Sequence, residues 1–149
     1  MQTFYLLIIL TLLAGFVIPT QAGINAQLSL WTNSPVLAST ISFAVGTVVL
    51  IIYSFVARIP LPTLTTAGAQ PWWVWTGGAL GAYFVAATVF LAPKLGATTM
   101  VALLLAGQMV ASLVLDHFGL LGYPVHPASF GRIIGVIMIA GGVLLVRIF

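Results

Sequence analysis

Charge is what this sequence has least of. One acid, Asp116, and four bases, Arg58, Lys94, Arg132 and Arg147, make up 3% of 149 residues, where a soluble domain carries about a quarter. A chain that is also 62% hydrophobic cannot cover a globule with hydrated side chains, and it reads as an all-α integral membrane protein. The net charge of +3 reflects missing acids. It forms no basic patch, so nucleic acid is excluded as a partner. Cysteine is absent, which excludes a disulfide framework and thiolate chemistry and leaves the redox compartment unread. With so few ionisable groups there is no nucleophile–base pair, and the chain does not read as an enzyme or imply a cofactor. Asp116, His117 and His126 share a Gly/Pro-rich loop but have neither C-x-x-C nor H-x-x-x-H spacing, so no metal site is assigned.

What is present is five apolar runs, over 4–28, 36–57, 72–92, 95–115 and 130–148, forming one transmembrane domain across residues 1–149. Each is close to the length about 20 residues of helix need to cross hydrocarbon. Thr20-Gln21-Ala22 loosely resembles a signal-peptide cleavage site, but Met1-Gln2-Thr3 offers no basic n-region, so the first run is read as a retained helix. Pro19 lies within it, followed by Gln21 and Asn25 four residues apart on one face, with Gln27 turned away. A proline in a span frees a carbonyl that neighbours or a cavity must satisfy. The polar end of this helix is therefore expected to face protein or water.

Trp31 to Pro35 reads as a turn, and the second span carries Ser42 and Gly46 as a small-residue face. Three prolines and three threonines make Arg58 to Pro71 a loop along the interface, and Trp72, Trp73 and Trp75 mark the headgroup level. Gly77, Gly78, Gly81 and Ala82 in the third span offer close approach to another backbone. Ala92 to Leu95 is short enough to fold spans three and four into an antiparallel hairpin. The fourth span runs uncharged from Leu95 to Leu115 around Gln108, bracketed by Lys94 and Asp116.

Five spans put the termini on opposite faces. One face then holds Arg58 and Arg132, the other Lys94 and Arg147. Orientation follows an excess of Lys and Arg on the cytoplasmic side, and a two-against-two count supplies none. Such a chain is expected to insert both ways and to pair as an antiparallel dimer; the plainer alternative is that low charge only reflects extreme hydrophobicity and one orientation still dominates. Two copies then complete the inverted-repeat architecture that many transporters build by internal duplication.

The segments G-G-A-L-G-A-Y-F-V-A-A (77–87), A-P-K-L-G-A-T-T (92–99), A-G-Q-M-V-A-S-L-V-L-D-H-F-G-L-L-G (106–122) and G-R-I-I-G-V-I-M-I-A-G-G-V-L-L-V (131–146), with Q-A-G-I-N-A-Q-L (21–28), resemble the YdcZ family of the drug/metabolite transporter superfamily. The resemblance implies a five-helix half-transporter of bacterial inner membranes, found as single genes, gene pairs or tandem fusions. A weaker similarity links Gly135, Gly142 and Val143 to the last helix of the small multidrug resistance proteins, where that helix joins antiparallel subunits. The first helix here lacks their essential glutamate, so their proton-coupled mechanism does not carry over.

The resulting expectation is a secondary transporter, an exporter of a small organic solute, working as a dual-topology homodimer among membrane lipids. Gln21, Asn25, Tyr83 and Gln108 are the candidate solute contacts, although Gln108 serves equally well as interhelical glue. Phe84 is a second aromatic that would pack the apolar part of the solute, although both aromatics serve equally well facing lipid or in the core. A chamber of carboxamides suits a neutral or weakly charged amphipathic solute, because burying an unpaired charge is costly. Asp116 pairs with Arg132 or His117, as an ion pair or charged switch, and Gly135 and Gly142 pack the dimer. The rival reading is a non-transporting accessory subunit, whose centre would be filled by Leu and Phe with no polar groups converging.

Overall fold

The computed structural model describes residues 2–63 and 68–148. Among the described residues five long helices carry the fold: α1 (Gln2–Thr32), α2 (Pro35–Val56), α3 (Thr76–Leu95), α4 (Ala97–Phe118) and α5 (Phe130–Ile148). A 3-10 turn at Trp72–Trp75 leads into α3, and another at Leu120–Gly122 follows α4. All five helices are long and apolar enough to cross a membrane. Hydrocarbon offers no partner for free backbone groups, so a spanning segment must close its hydrogen bonds internally, and a helix does this locally. Hydroxyls within the spans follow the same logic. Thr20 donates to the Phe16 carbonyl at 3.0 Å, Ser39 to Pro35 at 2.7 Å and Thr88 to Val85 at 2.9 Å.

Turn chemistry sets the helix ends. α1 runs through Trp31 and stops at Asn33, whose φ of 53° is one that asparagine tolerates. Ser34 then caps α2 by accepting the Leu37 N–H at 3.3 Å, with Pro35 in the first turn. At its other end α2 closes with the Ile59 N–H on the Ser54 carbonyl and the Arg58 N–H on Phe55, a Schellman arrangement with Arg58 at positive φ. The sequence placed a turn over Ala92 to Leu95. Instead α3 continues to Leu95 and the break is Gly96 alone, at φ 78°. Pro93 lies in the last turn, where it forfeits a single backbone bond. Of the expected interfacial loop, residues 64–67 lie outside the described residues.

The chain divides into two compact units, residues 1–93 and 94–149. In the first, α1 and α2 form a hairpin about the Asn33–Ser34 turn and pack along one another. Its small core joins Ala38 of α2 to Val85 and Val89 of α3, with Leu28 of α1 and Phe84 against it. Gly81 was expected to admit a backbone. A Cβ there would meet the Phe43 ring at 3.6 Å, an ordinary contact, so its neighbour is an aromatic side chain. In the second unit α4 and α5 pack together, with the turn after α4 folded onto α4. Outside these contacts the large apolar side chains point outward, Phe16 at 75% exposure and Val56 at 77% among them. Faces of that kind are solvated by lipid or by further protein.

Candidate functional site

One turn past Pro19, α1 presents Gln21 and Asn25 at helical spacing along a groove that it shares with α2. The groove has a volume of about 630 Å³, within the range that holds a drug-sized molecule. It runs along α1 from Leu13 to Leu28 and takes Ile41, Ser42 and Val45 from α2. No ionisable side chain lines it. Asn25 is only 4% exposed, and its Nδ2 has no hydrogen-bond partner. An unmet buried donor costs about 1–3 kcal/mol, so this amide is expensive to keep unless something else meets it. The Thr20 hydroxyl is already taken by Phe16. Gln21 also reaches an adjoining pocket of about 200 Å³ with Ser42, Phe43, Gly46 and Val85. Ser42 and Gly46, expected as a packing face, therefore line hollow space, and a Cβ at Gly46 would meet nothing within 4 Å.

Within the first unit, three of the expected solute contacts divide. Gln21 and Asn25 share the groove. Tyr83 is 76% exposed and does not line it, and Phe84 is half-buried against the core. Gln108 is exposed on α4, in the second unit. Sequence reasoning missed Ser42 as a groove residue. A small hydroxyl at mid-span signals either packing or polarity, and only the fold decides between them.

Beyond α4 the Gly/Pro-rich connection is held by polar bonds. Arg132 Nη2 pairs with Asp116 Oδ2 at 2.5 Å while its Nη1 donates to the His126 carbonyl at 2.6 Å. The His126 N–H returns to the Asp116 carbonyl at 2.8 Å, and the Ala128 N–H donates to His117 Nδ1 at 3.0 Å. Of the two expected partners for Asp116, the structure selects Arg132. His117 instead receives a backbone donor, which places its proton on Nε2. Gly119 ends α4 at φ 61°, where a Cβ would lie 2.6 Å from Val125 Cγ2. Among the described residues no group of three His, Cys, Asp or Glu side chains could hold a metal ion. On α5, a Cβ at Gly135 or Gly142 would meet nothing within 4 Å. Gly135 borders a small hollow of about 160 Å³ that includes Ser112 and Arg132.

Residues 6–145 match the family model described as "Putative inner membrane exporter, YdcZ". Among curated proteins the chain is similar to "Inner membrane protein YdcZ" of Escherichia coli (strain K12), at 40% identity over 75 residues, 50% of each chain. The match thus spans about half the length of that relative. No solved structure matches. A family match that reaches all five apolar helices shows that the chain belongs to the YdcZ family and is a multi-pass protein of the inner membrane.

Proposed function

We propose that the protein is a secondary transporter that exports a small organic solute, and that its working unit is two copies inserted in opposite orientations. Asn25 carries the transport reading: a buried amide left without a partner in the wall of a drug-sized groove. Family membership favours the same reading, since the matching family is described as an exporter. An accessory subunit that only packs has no use for such a group and would gain stability by replacing it with an apolar one. Gln21 shares the groove, and in this reading Gln108 adds a further carboxamide to the solute path when two copies combine.

Two observations support the pairing. Basic residues are balanced across the faces, Arg58 and Arg132 against Lys94 and Arg147. A Cβ at Gly142 of α5 would meet nothing within 4 Å, which leaves space for a second helix to approach closely. The Asp116–Arg132 pair serves as a latch that fixes the α4–α5 connection in one state of the cycle.

Lysine bias tests the proposal. Adding two lysines to one face drives the copies into one orientation, and adding them to the other face drives them into the opposite one. Neither variant alone should export, and co-expression should restore export. Full activity from one biased variant alone would defeat the antiparallel unit. Loss of solute movement by the unmodified protein across a broad metabolite panel would defeat the transport reading.

A further inference from the structure

We propose that the C-terminal end of α2 is a docking site for one anionic phospholipid, whose phosphate pairs with Arg58 while an acyl chain lies in the groove that runs from Arg58 toward Thr47. Three observations lead there.

The first is the groove itself, which has a volume of about 650 Å³ and shares no lining residue with the α1–α2 groove. Thr47, Leu50, Ile51, Ser54 and Phe55 form one wall, at the three- and four-residue spacing that puts side chains on a single helix face. Ile59 and Leu61, from the chain that leaves α2, also line it. The Ser54 hydroxyl is spent on the Leu50 carbonyl at 2.8 Å, so that part of the wall offers an acyl chain mainly hydrocarbon. From Thr47 to Arg58 the lining extends about 16 Å at helical rise. Half of a bilayer's hydrocarbon core is about 15 Å, the depth that one leaflet's acyl chains fill. Thr47 lies near the middle of α2 and Arg58 just past its end, so the groove runs from mid-membrane to the headgroup level.

The second is charge. The chain has one acid for four bases, and that acid, Asp116, pairs with Arg132. The Arg58 backbone N–H donates to the Phe55 carbonyl at 3.1 Å, but among the described residues nothing is bonded to its guanidinium. A guanidinium meets a phosphate with two parallel N–H···O bonds, and basic residues at the membrane surface attract anionic lipid. A zwitterionic lipid brings its own cation and leaves the charge of Arg58 unbalanced.

The third is the backbone. Arg58 has a φ of 53°, in the left-handed region that glycine enters freely and a β-carbon disfavours. At the ends of α1, α3 and α4 that region is taken by Asn33, Gly96 and Gly119, residues suited to it. Ending α2 therefore does not call for arginine, and a cation that needed only water could stand at a neighbouring position without strain. What its side chain holds explains why a large cation is kept there.

The test uses purified full-length protein in maltoside detergent, stripped of lipid. Phosphatidylglycerol and phosphatidylcholine with the same palmitoyl and oleoyl chains are added separately, and native mass spectrometry counts the bound lipid. The parent should bind the first phosphatidylglycerol about tenfold more tightly than phosphatidylcholine, the scale of a hydrogen bond to a charged group. In Arg58→Gly that preference should vanish, while the lipid-free unfolding midpoint holds or rises because glycine suits the backbone there. Arg147→Gln, which removes the same charge elsewhere, should keep the preference. Ile51→Trp, which fills the groove, should weaken phosphatidylglycerol binding, and Val49→Trp, at an exposed position outside the groove, should not. Equal binding of the two lipids by the parent overturns the proposal, as does a preference that survives in Arg58→Gly or is lost equally in Arg147→Gln. Unchanged binding in Ile51→Trp overturns it too. So does competition by glycerol phosphate as effective as that by the lipid, because phosphate without an acyl chain would then suffice.

Discussion

Asn25→Leu should make the isolated protein more stable while disabling it. In most proteins replacing a buried polar residue breaks a bond, but here Nδ2 has none to break. The residue is 4% exposed, so its desolvation cost is almost fully incurred. Removing an orphan donor recovers about 1–3 kcal/mol in a soluble core. Inside a membrane bundle the unfolded reference also finds partners for polar groups, which holds the expected gain to about 1–2 kcal/mol. Leucine is larger than asparagine, and the adjoining groove has about 630 Å³ to receive the difference. For a chain of this length the gain corresponds to a rise of about 2–8 °C in unfolding midpoint. The assay is thermal unfolding of ligand-free protein in detergent, with Asn25→Ala as a control that removes the amide but fills nothing and should fall between parent and Leu. A drop in midpoint for both variants would refute the reasoning, because it would mean that Nδ2 is bonded in the protein as it exists, most simply by a second copy.

Other outcomes follow from the same geometry. Gly119→Ala should cost about 1–2 kcal/mol for the left-handed backbone and a further amount for the Val125 methyl 2.6 Å away; adding Val125→Ala should recover the steric part alone in thermal unfolding. Gly96→Ala, at φ 78° with open space around it, should cost about 1–3 kcal/mol from the backbone only, with no second-site relief. A double-mutant cycle on Asp116→Asn and Arg132→Met should give a coupling of about 0.5–1 kcal/mol, kept small because the side chains are 22% and 37% exposed. Arg132→Met should be the costlier single change, since it also abandons the His126 carbonyl. Gly142→Leu should leave the isolated subunit's secondary structure intact, because nothing lies within 4 Å of a Cβ there, yet shift the detergent-solubilised protein from dimer to monomer in light scattering.

The spans were the legible part, because twenty apolar residues without charge have few other solutions and the turn residues between them are distinctive. Helix ends were less so. The third span was drawn to end at residue 92, yet a proline in a last turn sacrifices one bond, and the helix runs past Pro93 to break at the glycine three residues later. Small residues were the least legible. Gly46, Gly81 and Gly135 share a pattern in sequence, but the structure gives one to a hollow, one to the Phe43 ring and one to the rim of another hollow. Gln21 and Asn25 were readable as a pair because helical spacing puts them on one face. That Asn25 would be the buried, unmet member depends on α2 and on packing that no spacing encodes. Tyr83 looked like an aromatic wall for the solute and points elsewhere, since being one residue off the packed face of α3 turns a side chain outward.

The measurement that bears most directly on the antiparallel transporter is the orientation of the unmodified sequence in its membrane. The chain has no cysteine, so a single Gln70→Cys substitution, at an exposed position between α2 and the 3-10 turn that leads into α3, gives one reactive thiol. A membrane-impermeant maleimide is then applied to intact spheroplasts and to inverted vesicles. The account predicts that each preparation labels a comparable fraction, close to half of the copies, and that both preparations together account for nearly all. Complete labelling from one side, with none from the other, would contradict it.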